Sequence, residues 1–548
     1  MSGFRNSAGV LALAAALLGG AAAQDGSGIP RAEPGRATMA PGGVEVHRLD
    51  EVDPSSAGTL TEKDGGLGGQ LWAGSDYATI AELMDDLPVA GASPVMNDLA
   101  RRLLLTGAKP EGDSGNGPNL FDIRTRKLDE AGLAPDLAAL LATAGAGTGD
   151  EAARVNALLL TGRESEACGV EIAGEAAALQ LRALCRIVDG DAPAAALSAD
   201  LARVKGVDDP AFFALVSHLA DGAPLDAAAL KGLNPVTLAL ARHAKAALGM
   251  AAIEGASPGV AAALAADEGA ALPVRAAAGE RAVAAGAMAP GALIDIFRAL
   301  KKPADDGAQG GALRLQKAIA TEGLEPRAQA IVQALDYGAG RGLAVLYAQL
   351  LARAAWETPP SQALAAYADP VTRILLLSGR GDRVADWLNV SGSLGERLRD
   401  ELAVRLAIVA PTRDRAAVAI SALVRLVAAS ETDEGLTARV LVYAGALDAL
   451  GYAIPSSAQG LLQSSPLIAG SPAGQVETAE LAAAARDRRT GETLLRALIL
   501  LGRGGPAKAH PAVVIEAVAA LCAAGFTHEA SAVALEAALA RQTPGEGG

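Results

Sequence analysis

Glycines close a succession of short helical runs in this chain, and that punctuation restricts its possible folds more than any other feature. Residues 151–190, EAARVNALLLTGRESEACGVEIAGEAAALQLRALCRIVDG, read as helix, stop, short helix, stop, helix, stop. Val155, Leu158 and Leu159 share one helical face, as do Leu181, Leu184, Cys185 and Val188, at the i, i+3, i+4, i+7 spacing of an amphipathic helix. Gly162, Gly174 and Gly190 stand where a helix C′ residue takes positive φ, a conformation glycine adopts without steric cost. The LLLTGR of 158–163 returns as LLLSGR at 375–380 and more faintly as LLLTGA at 103–108. Alanine, the strongest helix former, makes up roughly a quarter of the 548 residues, and aromatics only 3%. The expectation is an all-α chain of close-packed helical hairpins, too long for one ordinary core. This pattern sets an architecture and names no reaction.

In chain order, residues 1–23 read as a secretory signal peptide: Arg5 in a short basic region, an apolar LALAAALLGG, and Ala21-Ala22-Ala23 before Gln24. Residues 24–70 are rich in Gly, Pro and Ser and read as a flexible tether. Helical repeats fill 71–250 and 251–541, with a soft junction near 250–258, and 542–548 form a loose tail. Ser93-Pro94, Asp209-Pro210 and Asn234-Pro235 each pair an N-cap residue with Pro at N1. Ser393 with Glu396 forms a capping box. The helix it opens has Leu398, Leu402, Leu406 and Val409 on its buried side and Arg397, Asp400, Glu401 and Arg405 on the other.

A net charge of −15 provides no basic stripe for phosphate neutralisation, so nucleic acid is not an expected partner. No window after the leader is long and apolar enough to span a bilayer, and the mature protein is expected to be exported, to the periplasm or as a secreted protein. The three cysteines and five histidines (His47, His218, His243, His510, His528) contain no C-x-x-C and no i, i+4 histidine pair, so neither a metal nor a cofactor is expected. Cys168 and Cys185 fall on neighbouring helices of one unit and form the disulfide candidate, with Cys522 left as a buried thiol. Gly255-Ala-Ser-Pro-Gly259 matches G-x-S-x-G, but helical sequence flanks it on both sides, and Ser257-Pro258 reads as N-cap and N1. No phosphate-binding glycine loop is present.

Two resemblances follow from particular residues. The hairpin 513–540 resembles a tetratricopeptide-type unit, with Gly525 between its helices and Ala530, Ala534 and Ala537 at the small positions of the second. As a whole the chain looks like exported bacterial proteins built of degenerate helical hairpins. That resemblance implies a right-handed solenoid that acts as a non-enzymatic scaffold for proteins or peptides of the cell envelope. Ala458–Pro466, AQGLLQSSP, is similar to the A-x-G-L-M-Q-x-x-P segment of lytic transglycosylases, which implies the alternative of a peptidoglycan-acting enzyme or a degenerate relative. The upstream place of that family's catalytic Glu is held by Gly445, and Asp448 is the only acid between Val440 and Ile454. Glycosidic cleavage needs a general acid there.

Overall fold

A computed structural model of the protein describes residues 54–112, 119–145, 148–390, 395–469 and 475–540. The signal peptide at 1–23, most of the tether, the tail 542–548 and the Ser393 cap lie outside them. The described residues are α-helical, with no strand beyond two isolated parallel bridges, Leu60 to Thr106 and Asp76 to Glu111. In order the helices are α1 (Tyr77–Asp86), α2 (Pro94–Leu105), α3 (Leu120–Glu130), α4 (Ala134–Ala144), α5 (Glu151–Leu160), α6 (Glu164–Ala167), α7 (Glu175–Val188), α8 (Ala192–Val204) and α9 (Pro210–Asp221). There follow α10 (Pro235–His243), α11 (Pro258–Ala266), α12 (Leu272–Ala284), α13 (Pro290–Ala299), α14 (Gly307–Ala320), α15 (Leu324–Gly340), α16 (Ala344–Trp356), α17 (Ala368–Leu377) and α18 (Val384–Asn389). The last third comprises α19 (Glu396–Val409), α20 (Arg413–Ser430), α21 (Glu434–Ala449), α22 (Ser456–Ser464), α23 (Pro466–Ala469), α24 (Gln475–Arg486), α25 (Thr490–Leu501), α26 (Pro511–Ala523) and α27 (Thr527–Ala540). No helix among the described residues is long and apolar enough to cross a membrane.

Helices pack chiefly on their chain neighbours, as in α7 on α8, α11 on α12, α15 on α16, α19 on α20 and α26 on α27. This is the nearest-neighbour stacking of a helical-repeat array, in which each hairpin buries the face its neighbour leaves open. The cap chemistry follows the sequence. Asp209 Oδ1 accepts from Phe212 N at 2.9 Å, and Asn234 closes a reciprocal box with Thr237 at 2.9 and 2.7 Å.

The LLLTGR and LLLSGR repeats are one device used twice. Thr161 and Ser378 end α5 and α17 with nearly identical dihedrals, and each hydroxyl donates to the carbonyl four residues back at 2.7 Å. Gly162 (φ 74°) and Gly379 (φ 73°) then turn the chain, and the amides of Arg163 and Arg380 return to Leu158 O and Leu375 O at 2.8 and 2.7 Å. These bonds satisfy carbonyls that a helix end otherwise leaves open. Gly162→Ala or Gly379→Ala is expected to lower stability by about 1 kcal/mol each in urea melts, because alanine resists positive φ. The fainter copy keeps the hydroxyl bond, Thr106 Oγ1 donating to Arg102 O at 2.7 Å, but Thr106 takes extended dihedrals and pairs with Leu60 where the other two turn. Gly174 also departs from expectation, since its φ of 90° serves the N-cap of α7, not a helix end.

One assignment by composition is corrected. Residues 54–70, placed in the tether for their Gly and Ser content, form two 3-10 turns (Pro54–Ser56, Glu62–Asp64) and pack on the end of α2. Arg124 of α3, only 2% exposed, secures them. Its guanidinium donates to Ala57 O and Leu104 O at 2.8 Å each and to Ser55 O and Thr106 O at 3.3 Å each. Burial pushes its pKa down to about 10. Near 250–258, α10, a 3-10 turn (Met250–Ile253) and α11 follow one another within one compact unit.

The first and last helices of this unit also meet. α1 and α2 pack on α25, and α2 packs on α27. Trp72, 2% exposed, lies against Gly491, whose amide donates to Leu71 O at 2.8 Å. Ser75 Oγ donates to Glu492 at 2.9 Å, Ser93 Oγ to Glu536 at 2.8 Å, and Arg102 to Glu529 at 2.6 Å. The array is joined head to tail, which nearest-neighbour stacking alone does not provide.

Candidate functional site

Cys168, the cap residue of α6, and Cys185 of α7 are joined by a disulfide, with their Cα atoms 5.6 Å apart. Both are half-buried, so the bond ties the short α6 to the long helix beside it. Cys522 is a free, half-buried thiol on α26 whose pKa burial pushes up, away from the reactive thiolate. His218 Nδ1 contacts Ala223 O at 2.7 Å, and His510 caps α26. Among the described residues no group of three His, Cys, Asp or Glu side chains is placed to hold a metal ion.

Ser257 sits at the N-cap of α11, where its Oγ accepts from Val260 N at 3.3 Å, and Pro258 occupies N1. Capping, with no strand before it, accounts for the G-x-S-x-G match. The Ala458–Pro466 segment forms α22 and the start of α23. Asp448 lies exposed in the last turn of α21, and Gly445 lets α21 approach Ile515 of α26.

The charged face of α19 lies in a buried ion network. Asp400, Glu401 and Arg405 are 6%, 3% and 0% exposed, whereas amphipathic reading puts them opposite the core. Three helices each contribute residues at i and i+4: Asp369 and Arg373 from α17, Glu401 and Arg405 from α19, Arg439 and Tyr443 from α21. Arg405 donates to Tyr443 Oη at 2.8 Å, pairs with Glu401, and reaches Asp369 at 3.3 Å. Glu401 also takes Tyr443 Oη at 3.2 Å and Arg439 at 3.5 Å. Burial pulls the Arg405 pKa down, but the charges of Tyr443 and Glu401 outweigh it and leave the pKa raised. Burial raises that of the Tyr443 phenol. With Glu401 taken up by its neighbours, this network holds three helices in register.

A second buried acid, Glu280 of α12, accepts from Arg341 and Tyr347 at 2.6 Å each. Tyr347 reaches it because Gly311 of α14 and Gly338 of α15 lie against the ring. A Cβ on Gly338 would fall 2.4 Å from Tyr347 Cγ.

Two cavities combine access with a chemistry that a ligand could read. The larger, ≈ 520 Å³, opens between α4, α5 and α11–α13. Alanine is the commonest residue of its lining, with Ala262, Ala266, Ala292 and Ala299 among them, and Arg275, Asp295 and Thr161 supply its polar side chains. Arg275 is tethered through Nε to Ala265 O at 2.9 Å. The smaller, ≈ 230 Å³, lies between α13, α14, α15 and α16 and brings Arg298, Arg327 and Arg353 around Ile294, Ile319 and Leu350. Neither was legible beforehand. Their linings come from four or more helices, and an alanine that lines a groove has no sequence mark that separates it from one in the core. No family model, curated protein or solved structure matches this chain.

Proposed function

We propose that the protein is an exported scaffold of the cell envelope that binds another protein or a peptide. The observation that carries this reading is the ≈ 520 Å³ open groove with its alanine-rich lining. Small side chains there leave room for a partner's larger ones, and a concave apolar surface with few polar atoms is the usual form of a binding site. The Cys168–Cys185 bond supports the exported part of the proposal, since such bonds persist in oxidising compartments. The leader-like composition of residues 1–23 points the same way.

Ala292→Trp is the test. Ala292 is an exposed groove residue near the start of α13, so the indole fills the groove without entering the core. Affinity capture from an envelope fraction should retain a partner with the unchanged protein and lose it with the variant, while circular dichroism and thermal midpoint stay the same. Equal retention by both proteins would refute the groove as the binding surface.

A further inference from the structure

The ≈ 230 Å³ cavity differs from the groove in its charge. Arg298 comes from α13, Arg327 from α15 and Arg353 from α16, and the one acid in its lining is Glu357. In a chain of net charge −15, three guanidinium groups around one apolar floor make a local reversal of sign. The floor is Leu350 (3% exposed), Ala354 (6%) and Ala318 (0%), with Ile319 partly open at 42%.

The guanidinium groups are only lightly engaged. Arg327 donates through Nε to Thr321 O at 3.0 Å, which fixes the side chain and uses one of its five N–H groups. Arg298 meets Asp295 at 3.5 Å, and both are at least half exposed. Arg353 pairs with Glu357 at 2.8 Å, an exposed i, i+4 contact of the kind that contributes little. The planar fork of arginine matches a carboxylate in two parallel hydrogen bonds. The volume falls below the ~300 Å³ at which sites for drug-sized ligands begin, so it suits one aliphatic side chain with its carboxylate and not an extended peptide.

We infer that this cavity binds the C-terminal carboxylate of a peptide whose last residue is aliphatic, with Arg327 and Arg353 on the carboxylate and Leu350 and Ile319 against the side chain. The inference rests on the scaffold reading and supplies the chemistry of one partner end. Terminal carboxylate capture is an established mode of peptide recognition. Glu357 opposes it, because the ligand must displace or tolerate that acid beside Arg353.

The experiment is calorimetric titration of the full chain with an acetylated tripeptide ending in leucine, as free acid and as C-terminal amide, with isovalerate as the free small acid. The free acid should bind at least about tenfold more tightly than the amide, as expected for losing a charged hydrogen-bond partner, and more weakly in high salt. Arg327→Ala should lose about tenfold, and Glu357→Gln should gain affinity, a direction that misfolding does not mimic. Isovalerate binding as tightly as the peptide would assign the site to small acids and overturn the peptide claim. Equal binding of acid and amide, or no binding by a folded protein, would overturn carboxylate recognition altogether. Ala292→Trp should leave this titration unchanged. If the tripeptide fails while Ala292→Trp still abolishes partner capture, the scaffold reading survives and only this inference falls.

Discussion

Glu536→Gln should leave stability near pH 4 unchanged and raise it at pH 8 by up to roughly 3 kcal/mol. Glu536 is 5% exposed, at the join of α2 and α27, with Ser93 Oγ donating to it at 2.8 Å. Burial pushes its carboxyl from the usual 4.5 up to about 7, a rise that the Ser93 bond only partly offsets. The folded protein therefore holds a proton between those values that the unfolded chain has released. The stability this gives is complete below about 4.5, declines as pH rises, and is gone once pH passes 7. Glutamine keeps an acceptor for Ser93 and removes the charge, so it gains where the acid is ionised and not where it is protonated. Urea melts of both proteins at pH 4, 6 and 8 read the difference. A constant offset across the three would show that the carboxyl is not the group that titrates.

The second large effect is expected at Arg124. Arg124→Ala removes four hydrogen bonds to backbone carbonyls and leaves those acceptors buried, with an expected cost of about 4 kcal/mol. The loss should be local before it is global. Ala57 donates to Pro54 O, and Thr59 and Leu60 both donate to Leu105 O, so these amides should exchange with solvent first. Arg124→Lys should recover less than half, because one ammonium on a flexible stem cannot meet carbonyls from residues 55, 57, 104 and 106 together. Hydrogen exchange that is uniform along the chain would mean that Arg124 does not act on this segment in particular.

What could be read beforehand follows the range of the forces involved. Caps and stops depend on a few adjacent residues, so Asp209-Pro210, Asn234-Pro235 and the paired Thr161-Gly162 and Ser378-Gly379 ends are visible in sequence. The Cys168–Cys185 pair was also within reach, because the two helices are consecutive in the chain. The charged side of α19 was not, since Glu401 and Arg405 find their partners Asp369, Arg439 and Tyr443 on two other helices. A single helix shows such residues as a solvent face. Residues 54–57 failed for the same reason: their own composition is that of a tether, and what orders them is one side chain nearly seventy positions away. The arginine cavity needs four helices to exist.

The join between the ends has a consequence for how the protein is made. Ser75 and Glu492 are 417 positions apart, and Ser93 and Glu536 are 443. Closing so long a loop costs only about 2 kcal/mol more than closing one a tenth as long, so the equilibrium penalty is small. The kinetic burden is larger, because such remote contacts form late. A chain synthesised from its N-terminus completes α1 and α2 long before α25 and α27, which pack on them. Leu71 and Trp72, nearly inaccessible in the finished fold, stay open until α25 exists. Through that interval this apolar surface is open to other chains, and the hairpins that carry α25 and α27 cover it.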